Sequence, residues 1–162
     1  MAPGAEGAGQ RADPGSRENR HGILTPTRKE GPHISKVTQL TLNLQSKPGV
    51  LANVAGVLGK AGVNIEGICA AETAGRGKIR LLVSDLGKAE AALQAAKIRC
   101  GREEAVTVSM ENRPGALGEA AQKLAQAKIS IKCAYATTGG AGQVAVVFTV
   151  SNLPKAVAAL GG

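Results

Sequence analysis

Two hexapeptides, SKPGVL at residues 46–51 and NRPGAL at residues 112–117, set the two poorest helix formers at the entrance of an apolar, helix-like run. Proline near a first helical position costs little, because its missing N–H would have had no intrahelical partner and its fixed φ is already helical. Glycine does cost stability there, and two readings account for it. In one, the absent side chain lets a ligand or a second backbone reach the free N–H groups of the first turn, where the helix dipole favours a carboxylate by about 0.3–1 kcal/mol. In the other, Pro-Gly simply makes a tight strand-to-helix turn. The candidate ligand-binding set follows from the first reading. Gly49 and Gly115 give access to the backbone, and Ser46, Asn112, Asn64 and Ser130 are polar groups able to orient an ammonium. Val50, Leu51, Ile65, Ala116, Leu117 and Ile131 are apolar walls. The same Asn and Ser residues also suit caps and turns.

Other chemistry finds little support. Both histidines, His21 and His33, fall in the N-terminal segment, which leaves the rest of the chain without an imidazole for acid–base or metal work. Cys69, Cys100 and Cys133 lack CxxC or His-paired spacing, so they read as small buried or half-buried thiols in a reducing compartment rather than a disulfide framework or a zinc site. Glu103-Glu104 and Cys133 have no nucleophile–base partner. No enzyme, catalytic residue, metal or cofactor is expected. The formal charge of +8 raises the question of nucleic acid, but from Val37 onward the basic residues are scattered singly among glutamates. Aromatics are 1% of the chain, too few to stack bases, so nucleic acid is not an expected partner. No apolar run is long enough to span a bilayer and no secretory h-region opens the chain, so a cytoplasmic protein without membrane contact is expected.

The elements that must position the two loops are legible in the periodicity. Residues 1–36, rich in Gly, Pro and charge, show no sustained period and read as a disordered tail. VTQLTLNL, from Val37, alternates as a half-buried strand, and Val50, Leu51, Val54, Val57, Leu58 and Ala61 form one stripe of an amphipathic helix. Gly62 is placed to close that helix, after which VNIEGICAAET and KIRLLVSD read as strands and LGKAEAALQAAK as a second helix. A shift of 66 residues lays a second copy over the first, Pro48 on Pro114, Gly49 on Gly115, Leu51 on Leu117, Leu58 on Leu124 and Ile65 on Ile131. IRCGREEAVTVSM must supply both the closing strand of one copy and the opening strand of the next. The expected fold is α+β: two tandem ferredoxin-like βαββαβ units, residues 37–104 and 105–162, with antiparallel sheets carrying helices on one face. The second unit lacks a clear last strand.

The doubled pattern, a polar residue, x, Pro-Gly-x-Leu, a helix and an Asn-Ile or Ser-Ile strand start, resembles the ACT domain family, and most resembles stand-alone proteins made of two ACT units. The resemblance covers residues 37–162. It implies a non-catalytic regulatory protein that binds an amino acid or similar metabolite at an interface between units, near the loops joining first strand to first helix. It also implies a homo-oligomer or an enzyme partner. Ser130 in place of Asn64's counterpart, and Ser46 where acidic or Asn residues are frequent, leave the ligand's identity open. A scaffolding or regulatory subunit that binds an enzyme without a ligand of its own is the alternative, and RNA binding, which shares the βαββαβ order, is less supported.

Overall fold

The computed structural model describes residues 33–139 and 142–161; the expected disorder of residues 1–32 lies outside them. Alternating and helical patterns become β1 (Ile34–Gln45), α1 (Val50–Lys60), β2 (Ile65–Thr73), β3 (Arg76–Val83) and α2 (Leu86–Ala95). The second copy gives β4 (Gly101–Glu111), α3 (Ala116–Gln126), β5 (Ile131–Thr138), β6 (Gln143–Val150) and α4 (Leu153–Gly161). The six strands form one antiparallel sheet in the order β2-β3-β1-β4-β6-β5.

The two units are joined at the centre of this sheet. Residues 34–41 of β1 pair with residues 101–108 of β4, from Ile34 opposite Val108 to Thr41 opposite Gly101. Leu40 to Gln45 pair with β3, and Val106 to Glu111 pair with β6. Each first strand therefore serves both units: its C-terminal half is the first strand of its own unit, and its N-terminal half is the fourth strand of the other. The place of a closing strand in the second unit is thus taken by the first half of β1. Ile34 at the start of β1 packs against that unit's core. One strand, Gly101–Glu111, does the work expected of two. Ile34, Ser35 and Lys36 belong to β1, opposite Val108, Thr107 and Val106, so the strand begins before Val37, and the 104/105 boundary falls inside β4. Thr38 faces Glu104, and the 66-residue shift carries one onto the other, so the pseudo-twofold axis passes through this pair.

All four helices lie on one face. In the first unit Leu40 and Leu42 of β1 and Ile79 and Leu81 of β3 pack against Val54 and Leu58 of α1 and Ala89 and Leu93 of α2. In the second, Val106, Val108, Val146 and Phe148 meet Ala120, Leu124, Ala156 and Leu160. With one phenylalanine in the chain, these layers are filled mainly by aliphatic side chains, and full burial of each Val, Leu or Ile stabilises the fold by about 1.5–3 kcal/mol.

The opposite face is not left to solvent. The sheet curls until its outermost strands, β2 and β5, approach: the Tyr135 ring lies where a side chain on Gly67 would stand, and the Thr137 hydroxyl donates to the Glu66 carbonyl. A polar knot fills the enclosed space. The fully buried Gln39 donates from Nε2 to Glu103 Oε2 at 3.0 Å and to Thr149 Oγ1 at 2.8 Å, and its Oε1 accepts from the Tyr135 hydroxyl at 2.7 Å. Every polar atom of that amide is satisfied, the condition for burying it without a large penalty. Arg80 Nε donates to Glu103 Oε2 at 2.8 Å. Burial opposes ionisation of Glu103, but the Arg80 hydrogen bond and the charges of Arg80 and Lys78 prevail and hold its carboxyl below the ordinary value.

Burial also pushes the Tyr135 phenol up to about 12. An unfolded chain releases this proton near pH ~10, so the contribution of the neutral phenol to stability is intact below pH ~10 and is lost as pH rises through about 12. Because Tyr135 is the only tyrosine, spectrophotometric titration of tyrosinate reads it directly. One transition near pH 12, moving to the ordinary value in denaturant, is expected; a midpoint near the ordinary value in the folded protein would show that the knot is open to solvent.

Candidate functional site

Both Pro-Gly pairs form the same turn. The Val50 N–H donates to the Lys47 carbonyl at 3.3 Å, and the Ala116 N–H to the Arg113 carbonyl at 3.4 Å. Proline is the second residue of each turn and glycine the third, with φ 86° and ψ −10° at Gly49 and φ 89° and ψ −20° at Gly115. These are the angles of a type II turn, which takes proline and then a residue with positive φ. Glycine is thus required by the turn itself. The helices begin two residues later than proline-first capping anticipates, with glycine in the cap position and its carbonyl accepting the first helical bond, from Asn53 at 2.9 Å and from Glu119 at 3.0 Å.

The two kinds of helix start differ in a way that bears on chemistry. In α2 the Asp85 carboxylate accepts from the Lys88 N–H at 2.9 Å, and in α4 the Asn152 side chain accepts from the Lys155 N–H at 3.0 Å. Helices α1 and α3 have no side-chain cap. Among the described residues, the N–H groups of Leu51 and Ala52, and of Leu117 and Gly118, have no hydrogen-bond partner. Gly49 leaves the space beside it open, with nothing within 4 Å of where a side chain would start.

A concavity lies beside each uncapped start. At the first loop, a 160 Å³ cleft is lined by Ser46, Lys47, Val50 and Leu51 with Ala70, Ala71 and Glu72 of β2. The Ser46 hydroxyl donates to Glu72 Oε2 at 2.6 Å. At the second, a 330 Å³ cavity has an apolar floor of Val108, Met110, Ala116, Ala120 and Leu160, and a charged rim of Glu111, Arg113, Glu119 and Lys123. Arg113 spans the rim, 2.6 Å from Glu119 and 3.3 Å from Glu111. Its guanidinium holds the Glu119 carboxyl below the ordinary range.

The expected site residues fall into two groups. Ser46, Val50 and Leu51 line the first cleft, Ala116 lines the second cavity, and Gly49 and Gly115 form the turns beside them. Leu117 is 53% exposed at the start of α3, and Asn112, whose N–H donates to the Gly142 carbonyl at 2.9 Å, lines a third, shallower depression. Asn64 and Ser130 sit elsewhere. Their N–H groups donate to the hydroxyls of Ser84 and Ser151, and they open β2 and β5 at the end of the unit away from its own Pro-Gly loop. Nine residues of β2 separate Asn64 from that loop, a distance on the order of 30 Å. Ile65 packs against the first unit's core, and Ile131 is 39% exposed. The antiparallel pairing of β1 with β4 directs the start of β2 toward the same end of the sheet as the other unit's Pro-Gly loop. Glu72, Glu111, Glu119 and Lys123 were not singled out from sequence. The signal for Glu72 is the alternation of β2, which carries the strand's last residues back to the loop.

The ACT domain pair family matches residues 35–160. The chain belongs to this family. The solved structure of protein BT0572 from Bacteroides thetaiotaomicron is 31% identical, with TM-score 0.73 over 79% of this chain and 88% of that one. The ligand-free regulatory subunit of aspartate kinase from Thermus thermophilus is 18% identical, with TM-score 0.61 over 82% of this chain and 95% of the other. The corresponding subunit from Thermus flavus gives 16% and 0.57 over 82% and 95%. At these identities the two kinase subunits attest the ferredoxin-like fold alone. No curated protein matches the chain. Among the described residues of this ACT pair no three His, Cys, Asp or Glu side chains are grouped to hold a metal, and no helix is long and apolar enough to cross a membrane.

The turn geometry makes a quantitative expectation. Gly49→Ala and Gly115→Ala force a β-carbon into the left-handed region and should each destabilise the fold by about 1–2 kcal/mol. Gly56→Ala, at an exposed mid-helix position with open space around it, should stabilise by about 0.5–1 kcal/mol. Urea denaturation of the three variants measures both signs; neutral Gly49→Ala and Gly115→Ala variants would contradict the turn assignment.

Proposed function

We propose that this ACT pair is a non-catalytic regulatory protein that binds a free amino acid at the Pro-Gly loops and passes the occupancy on to its own assembly or to an enzyme partner. The observation that carries the reading is the contrast between helix starts. The helices α2 and α4 are capped by their own carboxylate and amide, whereas α1 and α3 leave paired N–H groups free beside a concavity. A ligand carboxylate is the acceptor that those N–H groups lack, and the helix dipole favours it. Lys47 at the first loop, and Arg113 and Lys123 at the second, add positive charge. Glu72 at the first loop, and Glu111 and Glu119 at the second, supply acceptors for the α-ammonium group, while Val50, Leu51, Met110 and Ala120 offer apolar surface to a side chain.

The cavity at the second loop, 330 Å³, stands at the lower end of the ~300–1,000 Å³ range of small-molecule sites, which suits a ligand of amino-acid size. For about ten heavy atoms at roughly 0.8 kcal/mol each, the affinity ceiling is near micromolar. The second reading, a subunit that docks on an enzyme without its own ligand, is favoured by the exposed Leu51 and Leu117, 44% and 53% accessible beside the two loops.

Calorimetry against the twenty amino acids separates the two. Binding of at least one is expected, with a rise in Tm at saturating ligand, and the corresponding amine lacking the carboxylate should fail to bind. Silence from every amino acid at millimolar concentration favours the docking subunit, and equal binding of the amine removes the helix starts from the account.

A further inference from the structure

The closure of β2 on β5 brings together two thiols that the proposed amino-acid site does not use. Cys69 of β2 and Cys133 of β5 lie 64 residues apart, on the strands at opposite edges of the sheet, with Sγ atoms 3.8 Å apart. They are not copies of each other: the 66-residue shift carries Cys69 onto Tyr135, and Gly67 onto Cys133. They meet because β2 and β5 face each other across the curled sheet. Both are half-buried, and Cys69 is paired across the β2/β3 ladder with Arg80.

We propose that Cys69 and Cys133 form an intrachain disulfide that fastens the two outer edges of the sheet and so locks the two ACT units to each other. In the reduced protein this seam carries no strand ladder; the thiol contact, the Thr137 hydroxyl on the Glu66 carbonyl and the Tyr135 ring over Gly67 hold it. The sulfurs need close only from 3.8 Å to the ~2.05 Å of an S–S bond, a change within reach of side-chain rotation. Cys100, the third thiol, packs against the helix-side core of the first unit, on the other face of the sheet.

The oxidant is a small-molecule disulfide, RSSR. The Cys69 sulfur, having lost its proton to solvent, attacks one sulfur of RSSR, forming a mixed disulfide and releasing RS⁻. Cys133 then loses its proton and attacks the Cys69 sulfur, closing the intrachain bond and expelling the second RS⁻. The protein loses two hydrogens and two electrons, and RSSR becomes two RSH. The groups facing the pair are Arg80, Glu103 and Tyr135. Burial, together with the hydrogen bond to Cys69, raises the Cys133 thiol above the ordinary range, so alkaline pH favours its attack.

Oxidised glutathione is the probe, with the full chain as substrate at mildly alkaline pH. Intact mass and peptide mapping should show loss of two hydrogens and a Cys69–Cys133 link. The link should persist in Cys100→Ser, be absent in Cys69→Ser and Cys133→Ser, and raise Tm by about 5–10 °C, as expected for closing a long loop. Stable glutathione adducts without the link, links through Cys100 or between chains, or a link that leaves Tm unchanged would each overturn the proposal. The map on the unsubstituted chain decides even if a serine variant folds poorly, and the result does not depend on whether an amino acid binds.

Discussion

The antiparallel pairing of β1 with β4 is the constraint on which the other features rest. A βαββα unit with no fourth strand leaves one edge of its first strand unpaired, and an exposed edge invites pairing with another chain. Here each unit closes that edge with the first strand of the other, around Thr38 and Glu104. Neither half of the chain is complete without its counterpart, and the two three-stranded sheets become one.

Consequences follow on both faces. On one, the shared strands carry Leu40 and Leu42 to one helix pair and Val106 and Val108 to the other, giving two aliphatic cores from one sheet. On the other, β1 and β4 bring Gln39 and Glu103 side by side, and the curl adds Tyr135 and Thr149 from the second unit and Arg80 from the first. The knot joins groups from both halves in a space of reduced polarity, where a missing partner is costly. The same pairing points the two Pro-Gly loops toward opposite ends of the sheet, so the two candidate sites are separate.

The repeat was legible because Pro48, Gly49, Leu58 and Ile65 occupy positions where turn geometry and helix packing permit few substitutions, and their counterparts stand 66 residues later. Sharing of the central strands was only half legible. GREEAVTVSM alternates like any strand, and nothing local tells that its two halves have different neighbours. The β2–β5 approach was not legible, since it depends on accumulated twist across six strands rather than on any short pattern. No local pattern therefore brings Glu103 and Tyr135 to the same place. At the loops, the turn chemistry of Pro-Gly was visible, and so was the apolar stripe behind it. What sequence did not weigh was the contrast with SDLGK and SNLPK, where Asp85 and Asn152 cap their helices while SKPG and NRPG supply no cap. Asn64 and Ser130 were grouped with the loops by motif; a strand's length puts them at the far end of their own unit.

Backbone amides report most directly on the central claim, that a ligand carboxylate completes the uncapped helix starts. In a ¹H–¹⁵N correlation spectrum titrated with the amino acid that binds, the amides of Leu51 and Ala52, or of Leu117 and Gly118, are predicted to move downfield first and furthest, as they gain an acceptor. If those four amides stay still while the perturbed signals cluster elsewhere, the account of the site is contradicted.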